Sequence, residues 1–253
     1  MTTHSAYDAF AATYNRHWGS EFAPRVFPIL EQLVLRKLRS GARILDLCCG
    51  TGQFAGTLTG LGYRVTGIDG SAGMLRYAGE NAPETEFALA DARSFRLPEK
   101  YAAVISVFDS LNHVLTIDEL TEVFDRVHAA LSPGGFFFFD LNMAAAYFLT
   151  WNDNFGIVED DLVCIVRTAW DGENRTARFD ATIFNTPDGW QRVDLTIHQK
   201  CYAAEEVVAA LESAGFTGIE CYGHEDGQGL TSIDEATARG FFLCRRSGNG
   251  RRP

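Results

Sequence analysis

The pattern of apolar and polar residues first predicts helices and then an alternation of strands and helices. Residues 5–16 and 22–38 carry apolar positions at helical spacing, which predicts two helices ahead of the first strand. From residue 42 onward, short apolar runs alternate with amphipathic segments. The runs cover residues 43–48, 64–68, 86–89, 102–108 and 135–141, and the helical segments cover 53–61, 71–80 and 117–131. This order predicts an α/β unit whose mostly parallel sheet carries helices on both faces.

The period changes to two after residue 142. Alternation over residues 162–170, 175–185 and 190–200, with glycine-containing turns at 171–172 and 187–189, predicts an inserted antiparallel meander. A helix at 203–214 and strands at 217–222 and 240–245 then return to the α/β pattern. We therefore divide the chain into a helical cap, an α/β domain in two pieces, a β lid and a disordered tail. These parts cover residues 1–41, then 42–150 with 201–246, then 151–200, and finally 247–253.

Composition and charge narrow the class of protein. The net charge of −11 argues against a nucleic-acid partner, because proteins that bind the phosphate backbone present basic surfaces. No apolar run reaches the length of a membrane span, and the first residues lack a signal-peptide pattern, so we expect a cytoplasmic protein with no membrane partner. The six cysteines include no CxxC pair, which favours reduced core thiols and predicts no metal site.

Residues 43–55, RILDLCCGTGQFA, predict a buried strand that turns through Gly50 and Gly52 into a helix. Such a turn directs backbone N–H groups into a crevice at the carboxyl end of the strand. Asp69 ends the next strand, where a carboxylate can accept hydrogen bonds from two ribose hydroxyls. These features alone also fit an NAD-dependent oxidoreductase, because GxGxxA is shared with nicotinamide and flavin enzymes.

Two further acids separate the alternatives. Asp46 precedes the glycine turn inside the first strand, where it can face a cationic amino group and would repel a dinucleotide pyrophosphate. Asp91 follows the third strand, where it can accept a hydrogen bond from an adenine amino group beside the Ala92 N–H. Each acid also has a structural interpretation, as a strand-end acid bonded to turn amides or as a helix N-cap.

Five segments resemble the successive motifs of class I S-adenosylmethionine-dependent methyltransferases. They read ILDLCCGTG, VTGIDGSAGMLRYA, LADARSF, YAAVISVFDSLNHV and LSPGGFFFFDLN, and the resemblance extends over about residues 42–142. The resemblance implies S-adenosylmethionine as the cofactor and a Rossmann-like, seven-stranded, mostly parallel sheet with one antiparallel strand near an edge. It also implies cofactor contacts to the methionine and ribose (Asp46, Cys48, Gly50), the ribose diol (Asp69), the adenine (Gly70, Met74, Asp91, Ala92) and a closing aromatic ring (Phe108).

The N-terminus carries a second resemblance. YDAFAATYN resembles the YxxxAxxYD opening of small-molecule methyltransferases with an antiparallel insert, including glycine N-methyltransferase relatives and aminosugar N,N-dimethyltransferases. It implies that Tyr14 contacts the methionine part of the cofactor, where an aromatic face attracts a sulfonium. His113, in FDSLNHV after the fourth strand, and Tyr7 are the candidate catalytic residues, because histidine accepts protons near neutrality. The alternatives are that the tyrosines pack in the apolar stripe of a short helix and that His113 is an exposed surface histidine.

The function predicted from the sequence is methyl transfer to a deprotonated nucleophile of a small molecule, by in-line displacement, with nitrogen slightly favoured over oxygen. FDSLNHV lacks the prolines that nucleic-acid amino-methyltransferases carry at this place, so a DNA or RNA acceptor is not expected. We expect a monomer or a homodimer. The remaining alternatives are an NAD-dependent oxidoreductase and a non-catalytic S-adenosylmethionine-binding protein.

Overall fold

The computed structural model describes residues 3–21, 23–185, 190–225 and 229–248. The helices are α1 Thr3–His17, α2 Ala23–Leu33, α3 Gln53–Gly60, α4 Ala72–Asn81, α5 Ile117–Ala130, α6 Ala144–Thr150 and α7 Ala204–Ser213. The strands are β1 Arg43–Leu47, β2 Arg64–Asp69, β3 Glu86–Leu89, β4 Tyr101–Ser106, β5 Leu131–Asn142, β6 Asn154–Val158, β7 Leu162–Asp171, β8 Thr176–Asn185, β9 Gln191–Lys200, β10 Phe216–Glu225, β11 Gly229–Thr231 and β12 Arg239–Arg246. Short 3-10 helices cover Leu35–Lys37 and Ser110–His113.

The main sheet has eight strands in the order β11-β10-β12-β5-β4-β1-β2-β3. Strands β1 to β5 run parallel, and β12 pairs antiparallel with both β5 and β10. The chain moves outward from β1 to β3 and then crosses back to β4 on the other side of β1. This reversal opens a crevice at the carboxyl ends of β1 and β4, which is where open α/β sheets bind ligands.

The core lies on both faces of the main sheet because side chains alternate along each strand. In β5, Phe137 and Phe139 enter the cluster that contains α5 and α7, whereas Phe136 and Phe138 enter the cluster that contains α2 and α3. The Phe139 ring stacks on Phe242 of β12 with centroids 5.0 Å apart. The run of four phenylalanines in β5 thus reflects a strand covered on both sides, as its sequence predicts.

The insert forms a second, four-stranded antiparallel sheet in the order β6-β7-β8-β9. One face of this sheet packs on α1, where Phe10 lies among buried aliphatic side chains of β7, β8 and β9. The α/β fold class is confirmed, with three additions to the predicted elements: α6, the exposed strand β6 and the three-residue edge strand β11. Strand β11 makes the main sheet one strand wider than the seven that the family resemblance implied. The predicted turn at 187–189 and the tail from residue 249 onward lie outside the described residues.

Helix α1 is fixed to the main domain by polar contacts with α3 and α4. Asp8 accepts hydrogen bonds from the Ser71 hydroxyl and the Gly73 N–H, both at 2.7 Å, at the N-terminus of α4. Asn15 accepts from the side-chain amides of Gln53 and Asn81. These bonds hold α1 across the crevice. No helix in the described part of the chain is long and apolar enough to cross a membrane.

Candidate active site

A cavity of about 680 Å³ lies in the crevice at the carboxyl ends of the parallel strands, and both α1 and the second sheet contribute to its lining. This volume is in the range that binds small ligands and cofactors. Most residues that the sequence nominates line it: Tyr7, Tyr14, Cys48, Gly50, Asp69, Gly70, Met74, Asp91, Ala92, Phe108 and His113. Asp46 and Gly52 do not line the cavity.

Asp69 links the first two strand ends. Its carboxylate accepts a hydrogen bond from the Gly50 N–H and another from the Ser71 N–H, each 2.9 Å long. The turn after β1 and the turn after β2 are therefore fixed to each other by one side chain. Because Asp69 also lines the cavity, its position suits both the structural interpretation and a contact with a ligand.

Asp46 is buried just behind the cavity. Its side chain is 2% exposed, and its Oδ2 atom has no hydrogen-bond partner among the described residues. Burial, with a smaller contribution from the charge of Asp69, raises the pKa of the Asp46 carboxyl to about 8. A cationic group bound beside this carboxylate would stabilise its ionised form.

Asp91 is paired with Arg93. It accepts from the Arg93 backbone N–H and from two nitrogens of the Arg93 guanidinium, whose third nitrogen bonds Glu119 at 2.6 Å. These hydrogen bonds agree with the interpretation of Asp91 as an acid that stabilises the turn after the third strand. Both Asp91 and Arg93 still line the cavity, so a ligand there meets a carboxylate whose orientation is fixed.

Three non-glycine residues at the strand ends adopt a left-handed backbone. Cys48 follows β1 with φ of 61°, and Phe108 and Asp109 follow β4 with φ of 67° and 50°. Such conformations are strained for residues with a Cβ atom and concentrate at functional sites. They turn the chain sharply, so that Cys48 and Phe108 face the cavity from neighbouring strands.

The two glycines of the turn serve different purposes. At Gly50 (φ 53°) a Cβ atom would lie 3.8 Å from the Tyr14 ring, so Tyr14 covers this turn at van der Waals distance. At Gly52 (φ 81°) a Cβ atom would lie 2.7 Å from the Ala78 Cα, so Gly52 permits the close approach of α3 and α4.

We expect Gly52→Ala to lower the free energy of unfolding by about 2–4 kcal/mol, because a left-handed backbone and a backbone clash both oppose the methyl group. Urea unfolding measures the change. Gly60→Ala is the matched control, since nothing lies within 4 Å of its Cβ position. A Gly52→Ala protein as stable as the control would contradict the packing argument.

Tyr7 and His113 form a hydrogen-bonded pair in the cavity. The Tyr7 hydroxyl lies 2.9 Å from His113 Nε2, and His113 Nδ1 lies 2.9 Å from the His198 carbonyl oxygen. Because a carbonyl can only accept, Nδ1 carries the proton, and Nε2 accepts from Tyr7. Burial lowers the pKa of His113 against an opposing effect of Asp109, and burial raises the pKa of Tyr7. The structure thus brings together the two residues nominated as catalytic, as a neutral pair.

A polar network beside this pair was not predicted from the sequence. Arg239 of β12 bonds Asp109 and Asp140 at 2.8 Å each, and the Asp109 N–H donates to Asp140. Gln199 of β9 donates to Asp109 at 2.6 Å and lies 3.3 Å from His113 Nε2. Asp109, Gln199 and Arg239 all line the cavity. Asp109 could have been found from the sequence, because it is a charged residue directly after the fourth strand. No local pattern indicates Gln199 or Arg239.

Comparisons with known proteins agree with the geometry. Residues 44–135 match the family model described as a methyltransferase domain. A putative methyltransferase of Bacillus subtilis, YqeM, is 29% identical over 69% of this chain and 73% of its own. A dTDP-3-amino-3,4,6-trideoxy-alpha-D-glucopyranose N,N-dimethyltransferase of Streptomyces venezuelae is 31% identical over 46% of this chain and 49% of its own. A crystal structure of an S-adenosylmethionine-dependent methyltransferase from Clostridium acetobutylicum superposes with a TM-score of 0.78 at 21% identity, over 96% of this chain and 99% of that one.

The methyltransferase-domain match over residues 44–135 and the names of the relatives indicate an enzyme, an S-adenosylmethionine-dependent methyltransferase, and the fold and the crevice resemble those of class I members. Among the relatives, the chain resembles the aminosugar N,N-dimethyltransferases. S-Adenosylmethionine is its cofactor, as the sequence predicts, and the nicotinamide alternative is set aside.

Proposed function

We propose that this enzyme methylates the nitrogen of a small-molecule amine, with Tyr7 and His113 removing the proton. The observation that carries the proposal is the bond between Tyr7 and His113 Nε2, together with the His198 carbonyl that fixes the tautomer. The names of aminosugar N,N-dimethyltransferases among the relatives support nitrogen as the acceptor atom.

The residues of the cavity, together with the buried Asp46 next to Cys48, fit S-adenosylmethionine. The unpaired Oδ2 of buried Asp46 suits the amino group of the methionine part, and the Tyr14 ring suits the sulfonium. We assign Asp69 to the ribose hydroxyls, and Asp91 with Ala92 to the adenine edge. Of the other nominated residues, Cys48 and Gly50 face the methionine and ribose, Gly70 and Met74 flank the adenine, Phe108 closes the site, and Gly52 shapes the turn.

S-Adenosylmethionine supplies a methyl group made electrophilic by the sulfonium. With the cofactor bound, the amine nitrogen would form the new N–C bond, and the electrons of the broken C–S bond would remain on sulfur. The nitrogen's proton passes to the Tyr7 oxygen as the Tyr7 proton passes to His113 Nε2. Alignment supplies most of the catalysis, and the proton transfer makes the product neutral as it forms.

The acceptor is small in this proposal because α1 and the second sheet enclose the cavity. The net charge of −11 supports the absence of a nucleic-acid partner. We further propose that the enzyme acts in the cytoplasm as a monomer or a homodimer.

The pH profile of kcat/KM tests the Tyr7–His113 pair. Because burial lowers the pKa of His113, activity is present above that pKa and is lost as pH falls through it, so the acid limb lies below pH 6.5. The measurement uses an acceptor amine that stays neutral across the pH range. We expect His113→Asn to abolish this limb and to lower kcat about 100-fold.

Tyr7→Phe serves as the second variant, and we expect it to lower kcat while leaving the affinity for S-adenosylhomocysteine unchanged. His224→Asn, at an exposed histidine outside the cavity, is the control. If the His113→Asn protein kept the wild-type pH profile of kcat/KM, neither Tyr7 nor His113 would take part in the proton transfer.

A further inference from the structure

We infer that the amine acceptor carries an apolar body of aromatic-ring size and no phosphate group. This inference rests on the proposed N-methyltransferase function and names its substrate class. It separates the enzyme from relatives whose names specify dTDP-linked sugars, which carry two phosphates.

Apolar side chains form one wall of the cavity, which we call the aromatic chamber: Phe10, Trp18, Trp151, Phe155, Phe179 and Ile197. Their rings contact one another around Phe10 and Phe179. The centroids of Phe10 lie 5.2 Å from Trp18 and 5.7 Å from Phe179, and the Phe179 centroid lies 6.3 Å from Trp151. Such a wall offers stacking and edge contacts to a ring, but few hydrogen bonds to a sugar.

The aromatic chamber joins the proton-accepting pair directly. The ring centroid of Tyr7 lies 6.4 Å from Phe10 on one side and 5.4 Å from His113 on the other. An amine placed at the Tyr7 hydroxyl therefore extends its body along Phe10 toward Phe179. This placement puts the reacting nitrogen at the polar end of the cavity and the rest of the acceptor at the apolar end.

Charges around the cavity disfavour phosphate. Arg93 is engaged by Asp91 and Glu119, and Arg239 by Asp109 and Asp140. Each guanidinium is thus outweighed by two carboxylates. Among the described lining residues, only Arg25 adds a further guanidinium, and it is exposed to solvent; no lysine lines the cavity. A phosphate dianion would lose its hydration without gaining a buried cationic partner.

The test compares tyramine with O-phosphotyramine, which differ only by the phosphate, and with glucosamine, which replaces the ring by a polar sugar. Calorimetry on the protein loaded with S-adenosylhomocysteine measures binding. We expect tyramine to bind at least about tenfold more tightly than either of the others, because only tyramine buries an aromatic ring without also bringing a phosphate charge into the cavity. Equal or tighter binding of O-phosphotyramine or glucosamine, or binding of none, would overturn the inference.

A matched pair of variants locates the binding. Phe179→Ala is expected to weaken tyramine about tenfold, while Phe184→Ala, on the same strand but outside the cavity, leaves it unchanged. Affinity for S-adenosylhomocysteine, expected within twofold of wild type in both, shows that the proteins are folded. Phe179→Leu keeps apolar volume at the position if the alanine variant fails this check. Unchanged tyramine affinity in a folded Phe179 variant would count against the aromatic chamber.

Methyl transfer separates failure of this inference from failure of the proposed function, because tyramine offers both an amine and a phenol. Methylation at the nitrogen of tyramine supports both the inferred acceptor class and the proposed function. Preferred N-methylation of a dTDP-linked amino sugar leaves the proposed function standing and overturns the acceptor class. Methylation at the phenol oxygen alone overturns the proposed function.

Discussion

Replacement of Asp69 by alanine is expected to weaken S-adenosylhomocysteine binding about 100- to 10,000-fold. The carboxylate would accept two charge-assisted hydrogen bonds from the ribose, each contributing about 1.5–3 kcal/mol. The same carboxylate fixes the turns of Gly50 and Ser71, so the variant also loses the shape of the crevice. Calorimetric titration with S-adenosylhomocysteine measures the change.

Asp171→Ala is the matched control for this experiment. Asp171 also accepts two backbone N–H groups, from Glu173 and Asn174, but in an exposed hairpin away from the cavity. It therefore reproduces the loss of a turn acid without the loss of a ligand contact. Similar affinities for the Asp69 and Asp171 variants would refute the assignment of Asp69 to the ribose.

The variant Asp46→Asn is expected to gain stability and to lose cofactor affinity. The folded-state pKa of Asp46, about 8, lies above that of an unfolded aspartate, so the stability present below about pH 4 is lost as pH rises toward 8. Asparagine cannot ionise. We expect the free energy of unfolding without ligand to rise on the order of 2–4 kcal/mol at pH 8 relative to wild type, and this difference to vanish near pH 4.

Binding supplies the other half of this prediction, because an ammonium group requires the ionised carboxylate. Wild-type affinity for S-adenosylhomocysteine should rise between pH 6.5 and 8, whereas the Asp46→Asn protein should bind at least about tenfold more weakly at pH 8, with a smaller pH dependence. Asp118→Asn, at an exposed acid, is the control. An Asp46→Asn protein with unchanged stability and affinity would show that this acid is neither strained nor a ligand contact.

Most of the crevice could be predicted from the sequence because its parts are local. Asp69 follows a short apolar run, and parallel strands bring such ends together at one edge of the sheet. The glycine turn after β1 can likewise be recognised from adjacent residues of the sequence. The left-handed backbone of Cys48 could not be predicted, since cysteine does not by itself indicate a positive φ.

The acceptor side was less predictable because its residues meet only through tertiary structure. Arg239 reaches Asp109 from 130 positions away in the sequence, and Gln199 reaches it across the boundary between the two sheets. Strand β6 was missed because nearly all of its side chains are exposed, so its pattern carries no alternation. Helix α6 and strand β11 are too short for a periodic signal.

The fate of a labelled methyl group tests the central claim most directly. The enzyme is incubated with S-adenosylmethionine carrying ¹³C in its methyl group and with paired small amines and alcohols of the same carbon skeleton. The account predicts ¹³C-methyl signals on nitrogen, with one S-adenosylhomocysteine formed for each methyl group transferred. Label found only on oxygen, or no S-adenosylhomocysteine from a protein that binds NAD(H) instead, would contradict it.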